Sequence, residues 1–98
     1  MNLDVLIFAA HPDDAELSMG GTIAKLTKSD LKVGIIDLTR GELGTRGTAE
    51  TRQREAFNAA IVLKVALREN LEMPDGDIRN TRENLMKVII ALRKFKPK

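Results

Sequence analysis

The sequence predicts an α/β fold, a Rossmann-like three-layer sandwich built on a parallel sheet, and three observations carry that expectation. Two continuous apolar runs, Leu3 to Ala10 and Lys32 to Leu38, have the length and β-branched content of strands buried on both faces. Each is followed by a stretch whose apolar residues recur at helical spacing. The alternation continues through a third strand and helix, and right-handed crossovers then give a β-α-β-α-β-α unit with strand order 3-2-1.

Taken in order, Leu3 to Ala10 (LDVLIFAA) reads as the first and central strand. From Ala15 to about Ser29, Leu17, Ile23, Ala24 and Leu26 mark a helix, with Asp13 or Asp14 available as a cap. Gly20 and Gly21 interrupt it, each costing about 1 kcal/mol against alanine, and suggest close backbone approach. Lys32 to Leu38 (KVGIIDL) is the second strand, and the glycine-rich TRGELGTRGT, Thr39 to Thr48, is a loop. Its length exceeds the usual two to six residues of such connections, a mark of functional loops.

Glu50 to Leu63 is a helix that brings Phe57, Ala60, Ile61 and Leu63 to one side. Val65 to Leu71 reads as a short edge strand whose Arg68 and Glu69 discourage sheet-to-sheet association. MPDG, Met73 to Gly76, is a turn, and Thr81 to Phe95 is an amphipathic helix with Leu85, Val88, Ile89, Leu92 and Phe95 on its apolar stripe.

Composition narrows the class of function. Ninety-eight residues suit one small domain, and their 16 basic and 14 acidic side chains are interleaved, with three phenylalanines as the only aromatics. That argues against nucleic acid as a partner. The absence of cysteine excludes disulfides and thiolate sites and suits a reducing, cytoplasmic setting. No run approaches the roughly 20 apolar residues of a membrane span, and no signal peptide is evident.

The chemistry centres on AHPDDAE, Ala10 to Glu16, which holds the only histidine of the chain. At the carboxyl end of a strand, a histidine and a carboxylate three residues on can share a divalent metal, and zinc accepts such mixed nitrogen and oxygen ligands. Asp13 would then be free to take a proton from water, which points to hydrolysis. The bland reading is that the aspartates cap the helix and His11 is a satisfied strand-end residue. Two ligands are also one short of a usual catalytic zinc set. The loop has two readings as well, a phosphate cradle with Arg40 and Arg46 as counter-charges or a connection with solvated charges, although the first strand lacks the GxGxxG turn of dinucleotide binders. Arg52 is a cation near a helix N-terminus, where the dipole prefers anions; a ligand contact and an exposed arginine both fit.

AHPDDAE, the GGT at Gly20 to Thr22 and DLTRGELGTRGT at Asp37 to Thr48 together closely resemble the LmbE/PIG-L family of zinc-dependent N-deacetylases. Within the family the chain is most similar to the bacterial enzymes of bacillithiol biosynthesis, which remove acetate from N-acetylglucosaminyl-malate. The resemblance extends over all 98 residues, more loosely after Leu63, and corresponds to the N-terminal portion of a single, longer family domain. It implies His11 and Asp14 as zinc ligands, Asp13 as general base, and Arg52, Asp75 and Arg46 as substrate-binding residues. It also implies a third ligand and a further catalytic histidine in a later HxDH-type segment, which these residues do not contain. Lys64 stands where relatives often have glycine at the end of the second helix.

The expected function is therefore zinc-dependent deacetylation of an N-acetylglucosamine conjugate, in a cytoplasmic protein that forms homo-oligomers. The alternative is a non-catalytic, self-associating α/β module, and a third reading is a phosphate or nucleotide binder using the glycine loop.

Overall fold

A computed structural model describes residues 2–42 and 48–98. Strands β1 (Val5–Ala9), β2 (Val33–Thr39) and β3 (Leu67–Met73) alternate with helices α1 (Asp14–Lys28), α2 (Ala49–Leu63) and α3 (Arg82–Phe95). The strands are parallel, in the order β1-β2-β3. The fold class and strand order are those the alternation predicts. The central strand of these three is β2 rather than β1, since β2 is bonded on both sides and is buried along almost its whole length.

Alternation of side chains across the strands makes two cores. On one face Ile7, Ala9, Val33 and Ile35 pack with Ala15 and Ile23 of α1 and with Leu63 and Val65 at the end of α2. On the other, Leu3 and Ile36 pack with Ala91 and Phe95 of α3, joined by Leu6, Phe8, Leu67 and Leu71. Helices α1 and α2 thus share one face, as two successive right-handed crossovers require, and α3 covers the other.

The helix faces differ from those read off the sequence. In α2 the buried positions are Ala56 and Ala60, one turn apart, while Phe57 is 65% exposed and Ile61 62%. Small side chains let the helix approach the sheet, and the larger ones flank the contact. Likewise α3 buries Ala91 and Phe95 and leaves Leu85 and Leu92 outward, and Leu17 of α1 is exposed. A β-carbon at Gly20 or Gly21 would meet nothing within 4 Å, so neither glycine marks a close approach among the described residues.

Strand β3 begins two residues later than expected, because Lys64 to Ala66 form the exit from α2. The Lys64 and Val65 amides cap the last carbonyls of the helix, and Ala66 bonds Val33 O at 2.8 Å before Leu67 pairs with Gly34. The strand also runs on through buried Met73, so the turn starts only at Pro74. Between the Asp37–Asn70 and Thr39–Met73 pairs β3 carries one extra residue, a bulge with Glu72 at φ 56°. Asn70 closes it, its amide donating to Thr39 O at 2.7 Å while its oxygen accepts from the Glu72 amide at 2.7 Å.

Lys64 caps α2 in the left-handed region, at φ 58°, a conformation that costs an L-residue with a β-carbon about 1–2 kcal/mol. Part of that is offset by glycine's larger unfolded-state entropy. Lys64→Gly is therefore expected to stabilise the fold, by about 0.5–1 kcal/mol. Urea unfolding monitored by circular dichroism measures it, and an unchanged or lowered midpoint contradicts it.

Candidate active site

The carboxyl ends of the strands meet above the sheet. Ala10 O accepts from both the amide and the hydroxyl of Thr39, at 3.1 and 2.8 Å, which ties the chain leaving β1 to the last residue of β2. The next residues close on themselves. Asp14 N–H donates to His11 O at 3.1 Å, and His11 N–H donates to Asp14 Oδ2 at 3.0 Å, with Pro12 buried between them. The same Oδ2 lies 3.3 Å from His11 Nδ1.

Asp13 occupies the N-cap position of α1 without making a side-chain cap bond. Asp14, the first helical residue, turns its carboxylate back onto His11. Neither aspartate therefore does the work of a simple helix cap, which is to accept from the N2 or N3 amide.

The other nitrogen of His11 meets Asp75, carried by the turn after β3: Nε2 to Oδ1 is 2.6 Å, and Asp75 is almost wholly buried. The Asp75 amide donates in turn to Glu42 Oε2 at 2.9 Å, drawing that carboxyl below its usual range. Hydrogen bonding to Asp75 raises the pKa of His11; partial burial opposes it, and the charge of Asp75 and the contact with Asp14 add to the rise.

Asp13 faces α2. Its Oδ1 lies 3.2 Å from Arg52 Nη2, while Arg52 Nη1 donates to Gly41 O at 3.0 Å. Gly41 is required there twice over. Its φ is 67°, and a β-carbon would overlap the Arg52 guanidinium where it now lies.

One participant is missed by the sequence reading. Arg68, expected as an exposed edge charge, has a side chain only 5% exposed. Its Nε and Nη2 hold Asp37 at 2.8 and 3.0 Å, Nη1 donates to Ala56 O at 3.3 Å and lies 2.9 Å from Glu16 Oε1, and Nη2 also donates to Pro12 O. The strand does lie at the sheet edge, but Arg68 stands opposite Ile35 and so faces the core under α2. The signal available in the sequence was a charge inside each of two neighbouring strands, Asp37 and Arg68, of opposite sign.

The structure thus brings His11, Asp13, Asp14, Arg52 and Asp75 to one end of the sheet. Asp75, expected beside the substrate, lies against His11, and Arg46 falls outside the described residues. Among the described residues no group of three histidine or acidic side chains is arranged to hold a metal; His11 Nδ1 and Asp14 Oδ2 stand as a pair.

The chain is similar in sequence and fold to known proteins. Residues 6–98 match the PIG-L family, described as GlcNAc-PI de-N-acetylase. The chain is 34% identical to the diacetylchitobiose deacetylase of Thermococcus kodakarensis over 95% of its own length and 38% of that protein. It is 32% identical to the 1D-myo-inositol 2-acetamido-2-deoxy-alpha-D-glucopyranoside deacetylase of Kineococcus radiotolerans over 74% of its length and 23% of the relative. The crystal structure of the conserved protein TT1542 from Thermus thermophilus superposes with a TM-score of 0.90 at 45% identity, covering 97% of this chain and 43% of that one. The chain therefore spans less than half the length of each.

As the sole histidine, His11 gives an unambiguous nuclear magnetic resonance titration. Its midpoint is expected above the ordinary 6.5, and Asp75→Asn is expected to lower it. Because the folded-state pKa is the raised one, this contribution to stability is complete below about 6.5 and disappears as pH rises through the folded-state value. A midpoint that does not move in Asp75→Asn contradicts the assignment.

Proposed function

The chain belongs to the GlcNAc-PI de-N-acetylase family, and we propose that it is the N-terminal portion of a cytoplasmic, zinc-dependent hydrolase that removes the acetyl group from an N-acetylglucosamine conjugate. The observation that carries this reading is the environment of His11. Asp75 at 2.6 Å places the hydrogen of a neutral imidazole on Nε2, so that the Nδ1 lone pair faces Asp14 Oδ2 at 3.3 Å. Two electron-rich atoms face each other favourably only with a cation between them, a proton or a metal. The buried carboxylate behind the ring is the partner that metal-bound histidines usually have. One nitrogen and one oxygen donor suit zinc in kind, with His11 and Asp14 as two of its ligands and a third to come from outside the described residues. Zinc there would polarise the acetyl carbonyl and acidify water.

Asp13 then has a separate task. One oxygen is held by Arg52, and Oδ2 has no partner among the described residues, so it takes the proton as water adds to the acetyl carbon. Cleavage of the C–N bond releases acetate and the free amine, whose proton comes from a group outside the described residues. On this reading Arg52 binds the sugar, a role the family resemblance also gives to Arg46, and Asp75 acts on it through His11. The two named relatives act on an N-acetylated glucosamine joined to different groups. Malate as that group rests on the likeness to the bacillithiol branch.

The test separates the two aspartates. His11→Ala and Asp14→Ala are expected to abolish the weak zinc binding of the chain, measured by metal analysis after dialysis. Asp13→Asn is expected to keep the zinc while the slow release of amine falls by about 10²-fold or more. Full activity in Asp13→Asn, or unchanged metal content in the other two, overturns the reading.

We also propose a homo-oligomer. Among the described residues β1 is paired on one side only, and α3 exposes Leu85, Met86 and Ile90 on its surface, an apolar patch that a second copy would cover. Sedimentation at micromolar concentration should show association; a monodisperse monomer contradicts it.

A further inference from the structure

We infer that Arg68 is a positioning residue for the His11–Asp14 turn, which it holds from beneath through the Pro12 carbonyl. The pairing of β2 with β3 needs only the two-pronged contact with Asp37, at 2.8 and 3.0 Å, to neutralise the buried charge. The guanidinium does more. Its remaining donors reach Pro12 O in the turn, Ala56 O in α2 and Glu16 at the start of α1. Those are the three pieces of chain that carry His11 and Asp13, Arg52, and Asp14.

Pro12 is buried, yet part of the space beside it is open. A cavity of about 260 Å³ lies there, bounded by Pro12, Asp37, Ala56, Phe57, Arg68 and Asn70. Pro12 has no amide hydrogen of its own, so its carbonyl is the backbone group by which it can be anchored. Between Ala10, tied to Thr39, and Ala15, packed in the core, the Arg68 bond to Pro12 O is the polar contact that holds the turn itself, and with it the approach of His11 to Asp14.

Only the metal arm of the test rests on the reading of His11 and Asp14 as ligands. The informative variant is the double substitution Arg68→Met with Asp37→Leu, since a buried ion pair replaced by apolar side chains of similar size generally leaves a folded protein. The β2–β3 contact then persists without the clamp. In metal-free protein, amide exchange at His11 and Asp14 should quicken at least tenfold while Ile35 and Ile36 stay protected. Zinc affinity should fall tenfold or more, the loss typical of removing support behind metal ligands. A folded double variant that exchanges at the turn and binds zinc like the parent overturns the inference and leaves Arg68 a purely structural residue. Should the parent bind no zinc, the ligand reading fails and exchange alone decides on Arg68. Should the double variant not fold, Arg68→Lys, which keeps the charge without the planar fork, is judged by the same two readouts.

Discussion

The buried pair between Arg68 and Asp37 is the constraint on which the rest of the structure depends. Burial pushes the Asp37 carboxyl up in pKa, against the pull of the guanidinium beside it. Neither group belongs in the interior alone: removing one partner of such a pair typically costs about 3–5 kcal/mol, because the other charge is left uncompensated. Asp37 sits in the middle strand and Arg68 in the edge strand, so the ion pair runs across the ladder that joins them. The same guanidinium then reaches both helices of one face and the turn above β1. An arginine is suited to this because its planar fork offers five donors with fixed directions.

Strand β3 acts on the site at two heights. From beneath, Arg68 holds Pro12; from above, the turn that follows the strand delivers Asp75 to His11. The distance between these two actions depends on the bulge, whose extra residue changes which side chains stand at the strand end. Asn70 stabilises it by replacing the missing ladder contacts with its own amide. A third support comes sideways from α2, where Arg52 links Asp13 to the Gly41 carbonyl, a contact that the missing side chain of Gly41 makes room for.

Much of this was legible in the sequence, and the exceptions share a cause. Apolar runs such as LDVLIFAA and KVGIIDL report burial directly, so the parallel sheet and its order could be read from them. HPDD at a strand end marked the candidate site, where the structure brings His11, Asp13, Asp14 and Arg52 together, although those four residues alone also read as a helix cap. Arg68 was not legible, since a charge in a strand looks alike whether it faces water or a buried partner on the next strand. The helix faces failed for a related reason. In α2, Phe57 and Ile61 are more apolar than Ala56 and Ala60, yet the alanines are inside, because the spacing between helix and sheet selects for size as well as hydrophobicity. The exit from α2 moved the start of β3 because Lys64 adopts a conformation that its residue type does not advertise.

In the proposed mechanism the two adjacent aspartates divide the chemistry by their position within one turn. Both stand at the N-terminus of α1, where the helix dipole favours negative charge equally. What separates them is what each can reach. Asp14, inside the helix, is bound back to the amide and ring of His11, which fixes its carboxylate and commits it to whatever cation His11 shares. Asp13, one residue earlier, is held at a single oxygen by a neighbouring helix and keeps the other open. Among the described residues each carboxylate is engaged at one oxygen only, Asp14 at Oδ2 and Asp13 at Oδ1, so what distinguishes them is the partner, the histidine in one case and the guanidinium of a neighbouring helix in the other. Exchanging the environments, rather than the residues, would exchange the roles.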